Sequence, residues 1–307
     1  MSKTIEIMFN KEVKSVLDLI QAFPTEQSCI EHLELIRWNG NVVSPFDATS
    51  KVYKTKVGYQ CKNTGKNFNV KTNTIFDNTK LPLVKWFLAI WIATSHKKGI
   101  SSLQLGRDLD ITQKSAWFML QRIRQCFGIE NDNQLDNEVE VDETFVGGKE
   151  TNKHVNKKSN NPMVGNKATV LGMVERNGKI NAVKIDERSQ KVLTSEIIAL
   201  VSKTASIYTD EWVGYNKLKR VYDHSVVKHN AHQYVNGRVH TNTIEGFWSL
   251  LKRGIFGIYH FTSKKHLQLY VDEFVFRYNS RNITSEMRFD LMLGNMENRL
   301  TYKQLIG

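Results

Sequence analysis

Three acidic residues stand where the surrounding pattern predicts ordered elements. Asp142 lies in an alternating apolar and polar run that predicts a strand, Asp210 directly follows a short apolar run, and Glu245 lies in a helical pattern. Carboxylates are the ligands that Mg²⁺ and Mn²⁺ prefer, and a pair of such ions can activate an attacking oxygen and stabilise a leaving one in phosphodiester transfer. The three acids therefore predict metal-dependent chemistry on phosphodiesters.

A single acid is weak evidence, because the chain has 31 Asp and Glu residues and most acids are solvated surface groups. Asp142 differs because a strand of this pattern is expected to be half buried, where an unpaired carboxylate is costly. The agreement of all three placements with one architecture favours a catalytic interpretation over three unrelated surface acids.

The predicted helix at 241–253 carries a polar stripe at intervals of three, four and three residues: Asn242, Glu245, Ser249 and Lys252. Apolar residues occupy the rest of the pattern and are expected to pack on the fold. Lys252 lies two turns beyond Glu245, so its ammonium group is expected to meet a phosphate near the metal ions.

The elements from residue 138 onward predict a mixed sheet. A strand at 138–146 is followed by a hairpin whose turn is Asn177-Gly178, and helices then alternate with two short strands near 205–209 and 225–228. Two further helices follow, the last one capped by Ser263. This order predicts an α/β domain with a five-stranded mixed sheet covered by helices on its faces.

The preceding region is predicted to be helical from about residue 80 to 130. A short helix at 101–109, a tight connection and a longer helix from residue 113 form a helix-turn-helix pattern. Gln113, Lys114 and Arg122 are placed on the outer face of the second helix, where these residue types can meet bases or phosphates. An ordinary helical hairpin with a solvated polar face explains the same pattern equally well.

The segment before residue 80 holds three candidate zinc ligands. Cys29-Ile-Glu-His32 has the spacing of a metal knuckle, but the second knuckle offers Cys61 and then Thr64, which is no zinc ligand. With only three cysteines, far apart and odd in number, a disulfide framework is excluded and a reducing compartment is favoured.

Composition narrows the class of protein. The 307 residues are 40% hydrophobic and 24% charged, which excludes wholesale disorder, and no apolar run is long enough to span a membrane. The opening residues lack a signal-peptide pattern, so we expect a cytoplasmic protein associated with the nucleoid. A net charge of +12 favours a nucleic-acid partner over an ordinary basic enzyme.

Three segments together resemble the bacterial insertion-sequence transposases of the DDE type, in the branch with an N-terminal zinc ribbon. They are Val141-Asp142-Glu-Thr-Phe-Val-Gly-Gly148, Tyr208-Thr-Asp210-Glu-Trp-Val-Gly-Tyr215 and His240-Thr-Asn242-Thr-Ile-Glu245-Gly-Phe-Trp248-Ser-Leu-Leu-Lys252-Arg253. A gap of 34 residues ending in Glu245, with Lys seven positions later, also fits the family's pattern, and the resemblance covers about residues 25–285.

The resemblance implies an RNase H-like fold in which Asp142 and Asp210 hold two Mg²⁺ or Mn²⁺ ions and Glu245 is the third acid. Some members use an Asn, so Asn242 is a rival for that position, and Glu245 ranks first because only a carboxylate brings charge to the ion. Lys252 and Arg253 would bind DNA near the cut. The family's ribbon has Cys-x-x-Cys twice, so this chain departs from it, and we expect a metal-free relic of the ribbon.

The resemblance implies four segments: a lead-in with a degenerate ribbon (1–79), a helix-turn-helix region (80–130), a catalytic domain (138–285) and a C-terminal tail (286–307). The expected activity is binding of terminal inverted repeats, cleavage of the DNA ends and strand transfer into target DNA, with a homodimer or larger assembly on the DNA. Two alternatives remain: an RNase H-fold nuclease that does not join strands, and a DNA-binding protein descended from a transposase that no longer cuts.

Overall fold

The computed structural model describes residues 13–148, 167–227 and 240–307, together with positions 154 and 156. The first twelve residues of the predicted lead-in lie outside this range. The strands are β1 (Val52–Thr55), β2 (Gly58–Cys61), β3 (Asn67–Phe68), β4 (Glu138–Val146), β5 (Ala168–Glu175), β6 (Ile180–Ile185), β7 (Ser206–Thr209) and β8 (Asp223–Val226). The α-helices are α1 (Val16–Ala22), α2 (Glu26–Trp38), α3 (Leu83–Ser95), α4 (Ser102–Asp108), α5 (Gln113–Gln125), α6 (Gln190–Leu200), α7 (Asn242–Gly254), α8 (Leu267–Asn279), α9 (Ser285–Gly294) and α10 (Tyr302–Ile306).

The chain forms two compact units, one made of residues up to 126 together with 282–307, the other of residues 127–281. The sequence analysis divided the chain into four consecutive segments, which do not coincide with these two units, and that division stays a prediction. Residues 282–307 are part of the first unit because their apolar side chains are buried there. Phe289, for example, packs edge-on against Phe87 of α3 with ring centroids 5.3 Å apart.

In the first unit, β1, β2 and β3 form a small antiparallel sheet. The two helices of the predicted helix-turn-helix are present as α4 and α5, which an ordinary helical hairpin also requires. Thr112 caps α5 through its side chain, and Asp110 takes a left-handed conformation (φ 49°) that makes the turn tight. A Cβ atom on Gly106 would lie 3.0 Å from the carbonyl oxygen of Ile111, so this position of α4 favours glycine.

The second unit contains the predicted five-stranded mixed sheet, in the order β6-β5-β4-β7-β8. β5 runs antiparallel to both of its neighbours, whereas β4, β7 and β8 are mutually parallel. This strand order, with the second strand in sequence reversed, is that of the RNase H-like fold, so the prediction of fold class is confirmed. The predicted turn at Asn177-Gly178 is also present, with Asn177 left-handed (φ 60°).

Helices cover both faces of this sheet and give three layers. α7 and α8 pack on one face, with Ile244, Phe247, Trp248 and Phe274 in the apolar cluster there. α6 and a 3-10 helix (Val213–Arg220) pack on the other face. Because successive residues of β4 point to opposite faces, Glu140 and Asp142 face the α7 layer and Glu143 faces the α6 layer.

None of the helices in the described part of the chain is both long and apolar enough to cross a lipid bilayer.

Candidate active site

Asp142 lies in the middle strand of the five-stranded sheet, between β5 and β7. Its side chain is partly buried under α7. Burial raises the pKa of the Asp142 carboxyl to about 7, and the nearby charges of Glu143 and Asp210 add to this, whereas a hydrogen bond from Trp248 opposes it. A carboxyl held in this way gains stability when a cation is bound beside it.

Asp210 follows β7 directly, as the sequence predicted. β4 and β7 are parallel and their ladder ends at the pair of Glu140 and Tyr208, so Asp142 and Asp210 each lie two residues beyond its last pair. The charge of Asp210 contributes to the raised pKa of Asp142, so the two carboxylates lie near each other at the carboxyl end of β7. Oδ1 of Asp210 accepts a hydrogen bond of 3.0 Å from the backbone N–H of Trp212, which orients the carboxylate.

Trp248 of α7 contacts Asp142 on the face of the sheet that α7 covers, and its indole Nε1 donates to Oδ2 of Asp142 at 2.9 Å. The approach depends on Gly172, which pairs with Asp142 in the β4–β5 ladder. A Cβ atom on Gly172 would lie 2.5 Å from Cη2 of Trp248, a distance that real side chains do not tolerate. The absence of a side chain at Gly172 therefore lets the indole ring lie directly against β5.

Glu245 and Asn242, the two candidates for the third position, are both exposed residues in the first turn of α7. Oε1 of Glu245 accepts a hydrogen bond of 3.3 Å from Thr241 Oγ1. Among the described residues, no three His, Cys, Asp or Glu side chains are gathered closely enough to hold a metal ion. The structure thus brings Asp142 and Asp210 together, and Glu245 does not complete a triad with them.

Glu143 is an acid beside the site that the sequence reading passed over. It is buried on the α6 face and receives hydrogen bonds from the Tyr215 hydroxyl and from Arg188. Burial raises the pKa of Glu143, while Tyr215 and Arg188 oppose that rise. The Arg188 guanidinium lies 3.6 Å from the ring centroid of Trp212, the residue whose N–H binds Asp210. The alternating pattern of residues 138–146 could have predicted this position, since it places Glu143 on the opposite face of the strand from Asp142.

Glu140 is a second acid that the sequence reading passed over. Its carboxylate is fully buried and accepts hydrogen bonds from Arg176 Nε (2.7 Å), from the Thr243 hydroxyl (2.9 Å) and from the N–H groups of Thr243 (2.8 Å) and Ile244 (3.1 Å). Two of these donors are N–H groups in the first turn of α7, where backbone N–H groups have no acceptor within the helix. Glu140 therefore fixes the end of the helix that carries Asn242 and Glu245.

Lys252 and Arg253, predicted to contact DNA, both lie in the last turn of α7. Lys252 is half-buried, and Arg253 is exposed with its Nε donating to the Ser249 carbonyl at 3.1 Å. Both cations are thus on the helix that bears the third-residue candidates.

The predicted DNA-reading face of α5 is only partly exposed. Gln113 and Lys114 lie at the exposed start of the helix, and the Lys114 ammonium is 5.1 Å from the ring centroid of Tyr302. Arg122 instead points into the first unit, where it donates to the backbone carbonyls of Leu300 (2.9 Å), Ile75 (2.8 Å) and Asp77 (3.0 Å). Burying a guanidinium is costly unless its donors are paired, and these carbonyls pair them, so Arg122 does not lie on the outer face expected for it.

The three candidate zinc ligands are not brought together. Cys29 and His32 lie on helix α2, where burial raises the pKa of the Cys29 thiol to about 12 and His32 Nε2 lies 3.0 Å from Asp290 Oδ1. Cys61 ends β2; burial opposes ionisation of its thiol, but hydrogen bonds from Ser44, Ser50 and Thr64 outweigh burial and lower the pKa to about 6. The Cys-x-x-His spacing therefore belongs to one helical turn and not to a metal knuckle.

Comparison with known proteins identifies the domain that holds this site. Residues 134–279 match the family of ISXO2-like transposase domains. The chain is 26% identical over 251 residues to an uncharacterised protein in transposable element ISH50 of Halobacterium salinarum, covering 76% of this chain and 84% of that protein. A crystal structure of a pre-cleavage Mos1 transpososome covers 66% of this chain and 75% of that chain at 12% identity, with a TM-score of 0.24. The ISXO2-like domain at residues 134–279 and the relative in a transposable element together support an insertion-sequence transposase of the DDE type.

Proposed function

We propose that this transposase binds the terminal inverted repeats of its own element, hydrolyses the phosphodiester bond at each end and joins the freed 3′-OH to target DNA. The observation that carries the proposal is the proximity of Asp142 on β4 to Asp210, which directly follows the neighbouring parallel strand β7 of the transposase domain. Carboxylates are the ligands by which proteins hold the divalent cations of phosphodiester chemistry.

Asp142 and Asp210 would hold Mg²⁺ or Mn²⁺, in the form of two ions. When bound, the ions supply activation of the attacking oxygen and stabilisation of the leaving one. Asp142 must give up its proton to bind a cation, and its pKa of about 7 places that step within the physiological range. Glu245 is our first choice for the third ligand because it adds a charge, and Asn242 on the same turn of α7 is the rival.

DNA would be held by cations outside the acidic pair. Lys252 and Arg253 on α7 would bind phosphates near the cut, and Gln113 and Lys114 at the start of α5 would help to read the ends. The net charge of +12 supports a polyanionic partner. Pairing two DNA ends would require at least a homodimer on the DNA.

The test is incubation of the purified protein with Mg²⁺, a plasmid target and a DNA fragment that carries the ends of its element, beside the Asp142→Ala variant. We expect the wild type to cleave at the repeat ends and join them to the plasmid, and the variant to bind without cleaving. An Asp142→Ala protein that still cleaves would contradict the assignment.

The same assay separates the alternatives. Cleavage without joining would identify a nuclease, and binding without cleavage by the wild type would identify a DNA-binding protein that no longer cuts. Asp186→Ala is the matched control, because the Asp186 carboxylate is 90% exposed in the same unit and pairs only with Lys184 among its described ion pairs.

A further inference from the structure

The connection between α7 and α8, residues 255–266, is a turn that we call the aromatic-basic turn. It begins with a short π-helix (Ile255–Tyr259), a rare conformation that often occurs at functional sites. Tyr259 anchors it, because its hydroxyl donates to Glu273 Oε1 at 2.6 Å and its ring packs edge-on against Tyr270 at 4.8 Å. The turn is therefore held in place by α8.

Two phenylalanines of this anchored turn point away from the core. Phe256 is 52% exposed and Phe261 is 76% exposed, whereas Ile255, the first residue of the turn, is buried. Burial of a phenylalanine side chain contributes about 1.5–3 kcal/mol to folding, and these two side chains forgo much of that. His260, between them in sequence, has a left-handed backbone (φ 58°), which a non-glycine residue adopts at a cost. The turn therefore keeps a conformation that opposes both the backbone preference of His260 and the tendency of phenylalanine side chains to be buried.

The charged side chains of the chain segment that carries the two rings are all of one sign. The sequence from residue 246 to 271 contains no acid, and it places four cations within the turn and the end of α7: Lys252, Arg253, Lys264 and Lys265. The acid that influences Lys264 is Asp186 of another segment, and Asp186 is itself paired with Lys184 at 2.8 Å. Exposed rings among cations, without acids in the same segment, complement a ligand that has flat apolar faces and negative charge.

We propose that the aromatic-basic turn binds unpaired nucleotides of DNA, with Phe256 and Phe261 stacking on bases and the flanking cations contacting phosphates. Unpaired bases fit better than duplex DNA, because the faces of paired bases are covered by their neighbours in the stack. Phe256 follows Glu245 by eleven residues along the helical segment, which corresponds to about 16 Å at the rise of an α-helix. A DNA strand that runs along α7 from Glu245 would reach the turn within about five nucleotides.

This inference rests on the proposed function only for the source of the DNA strand, so its test avoids both metal and cleavage. The binding of single-stranded oligothymidylate and of a fully paired duplex of equal length is measured for the wild type and for the double variant Phe256→Ala/Phe261→Ala. We expect the double variant to lose about tenfold or more in affinity for oligothymidylate, as stacking losses of this kind do, and to bind the duplex as the wild type does. Its thermal unfolding should be unchanged, because both rings are exposed.

Tyr53→Ala is the matched control, since Tyr53 is an exposed aromatic (49%) in the small sheet of the first unit, and it should leave both affinities unchanged. Phe261→Trp keeps a stacking ring and should retain the affinity for oligothymidylate. Equal losses on both DNAs, or no loss on either, would overturn the proposal. A change in oligomeric state of the double variant without a change in DNA affinity would show that a second copy covers the rings and would also overturn it.

The two proposals can fail separately. A chain that prefers unpaired DNA through the turn but never cleaves would contradict the proposed function and leave this inference standing. A chain that cleaves normally with both phenylalanines replaced, and binds oligothymidylate as before, would contradict this inference alone.

Discussion

Trp248 on α7 donates an indole hydrogen bond of 2.9 Å to the carboxylate of Asp142 on β4. This contact joins the helix with the third-residue candidates to the strand with the first acid. It also lowers the pKa of a carboxyl that burial otherwise raises, because the donor favours the charged form. Trp248 therefore adjusts both the position and the protonation of the proposed metal ligand.

Trp248→Phe should shift the pH dependence of cleavage toward alkaline pH. Without the indole donor the pKa of Asp142 rises above its value of about 7, so a smaller fraction is ionised and ready to bind a cation near pH 7. We expect cleavage near neutral pH to fall several-fold and to recover at higher pH. The measurement is the cleavage rate from about pH 6 to about pH 9.

Trp86→Phe is the control for that experiment, because Trp86 makes an equivalent 2.9 Å indole bond to Thr79 in the other unit. It should lose a comparable amount of stability without shifting the profile. A Trp248→Phe enzyme with the wild-type pH profile would show that the indole does not act on Asp142.

Gly172→Ala should reproduce the effect of losing the indole. A Cβ atom there would lie 2.5 Å from Trp248 and 2.8 Å from Cδ1 of Ile244, so the α7 side chains must move away from Asp142. We expect a destabilisation of about 1–3 kcal/mol from overpacking, measured by urea unfolding, and the same alkaline shift in cleavage. Gly246→Ala, on α7 with open space around its Cβ position, should instead be neutral or stabilising.

Glu140→Gln should loosen the start of α7 and reduce cleavage while DNA binding persists. The amide keeps one acceptor oxygen, so either Arg176 or the N–H groups of Thr243 and Ile244 lose a partner in a fully buried place. Breaking a buried charged contact costs about 3 kcal/mol, measured by urea unfolding. Hydrogen exchange should accelerate at the Thr243 and Ile244 amides.

Glu138→Gln separates this effect from a general loss of charge near Arg176. Glu138 lies 3.6 Å from the same guanidinium but is itself 36% exposed, so its replacement should cost less than about 1 kcal/mol. Unchanged exchange at Thr243 and Ile244 in the Glu140→Gln protein would refute the role given to Glu140.

Asp272→Asn should be more stable than the wild type at neutral pH. At acidic pH the two proteins should have nearly the same stability. Burial raises the pKa of Asp272 to about 6, against hydrogen bonds from Gln268 and Asn131 that lower it. The folded state therefore holds this proton more tightly than the unfolded chain, and the wild type loses stability as pH rises from about 4 to about 6. The variant lacks that loss.

Both hydrogen-bond donors to Asp272 reach Oδ1, and an asparagine keeps this oxygen. We expect a gain of about 1–3 kcal/mol over wild type near pH 7.5, and little difference near pH 4.5, in urea unfolding at the two pH values. A difference that does not depend on pH would contradict the pKa of about 6.

The sequence sufficed to locate the five-stranded sheet and the positions of Asp142 and Asp210 along it, because both follow from local patterns. Alternation located β4, the Asn177-Gly178 turn fixed the hairpin, and Asp210 directly follows a short apolar strand. These features depend on backbone preferences within a few residues.

Features that depend on distant packing were not predictable from local patterns. Arg122 reads as an outward residue on the helical pattern of α5, but its partners include Leu300, which lies 178 positions further along the chain. Glu140 reads as a solvated residue of an alternating strand, yet its face of β4 is covered by α7. The apparent knuckle of Cys29 and His32 is one turn of a helix, which the spacing alone does not distinguish from a metal site.

The most direct measurement of the central claim is metal-dependent cleavage by Asp142→Cys and Asp210→Cys proteins in Mg²⁺ and in Mn²⁺. A thiolate binds the softer Mn²⁺ better than Mg²⁺, so a residue that contacts the ion should lose cleavage in Mg²⁺ and regain part of it in Mn²⁺. Asp186→Cys, which replaces an exposed carboxylate of the same unit, should keep its activity in both metals. We predict the Mn²⁺-specific recovery for Asp142 and Asp210, and Asp142→Cys or Asp210→Cys proteins that cleave in Mg²⁺ as the wild type does would contradict the account.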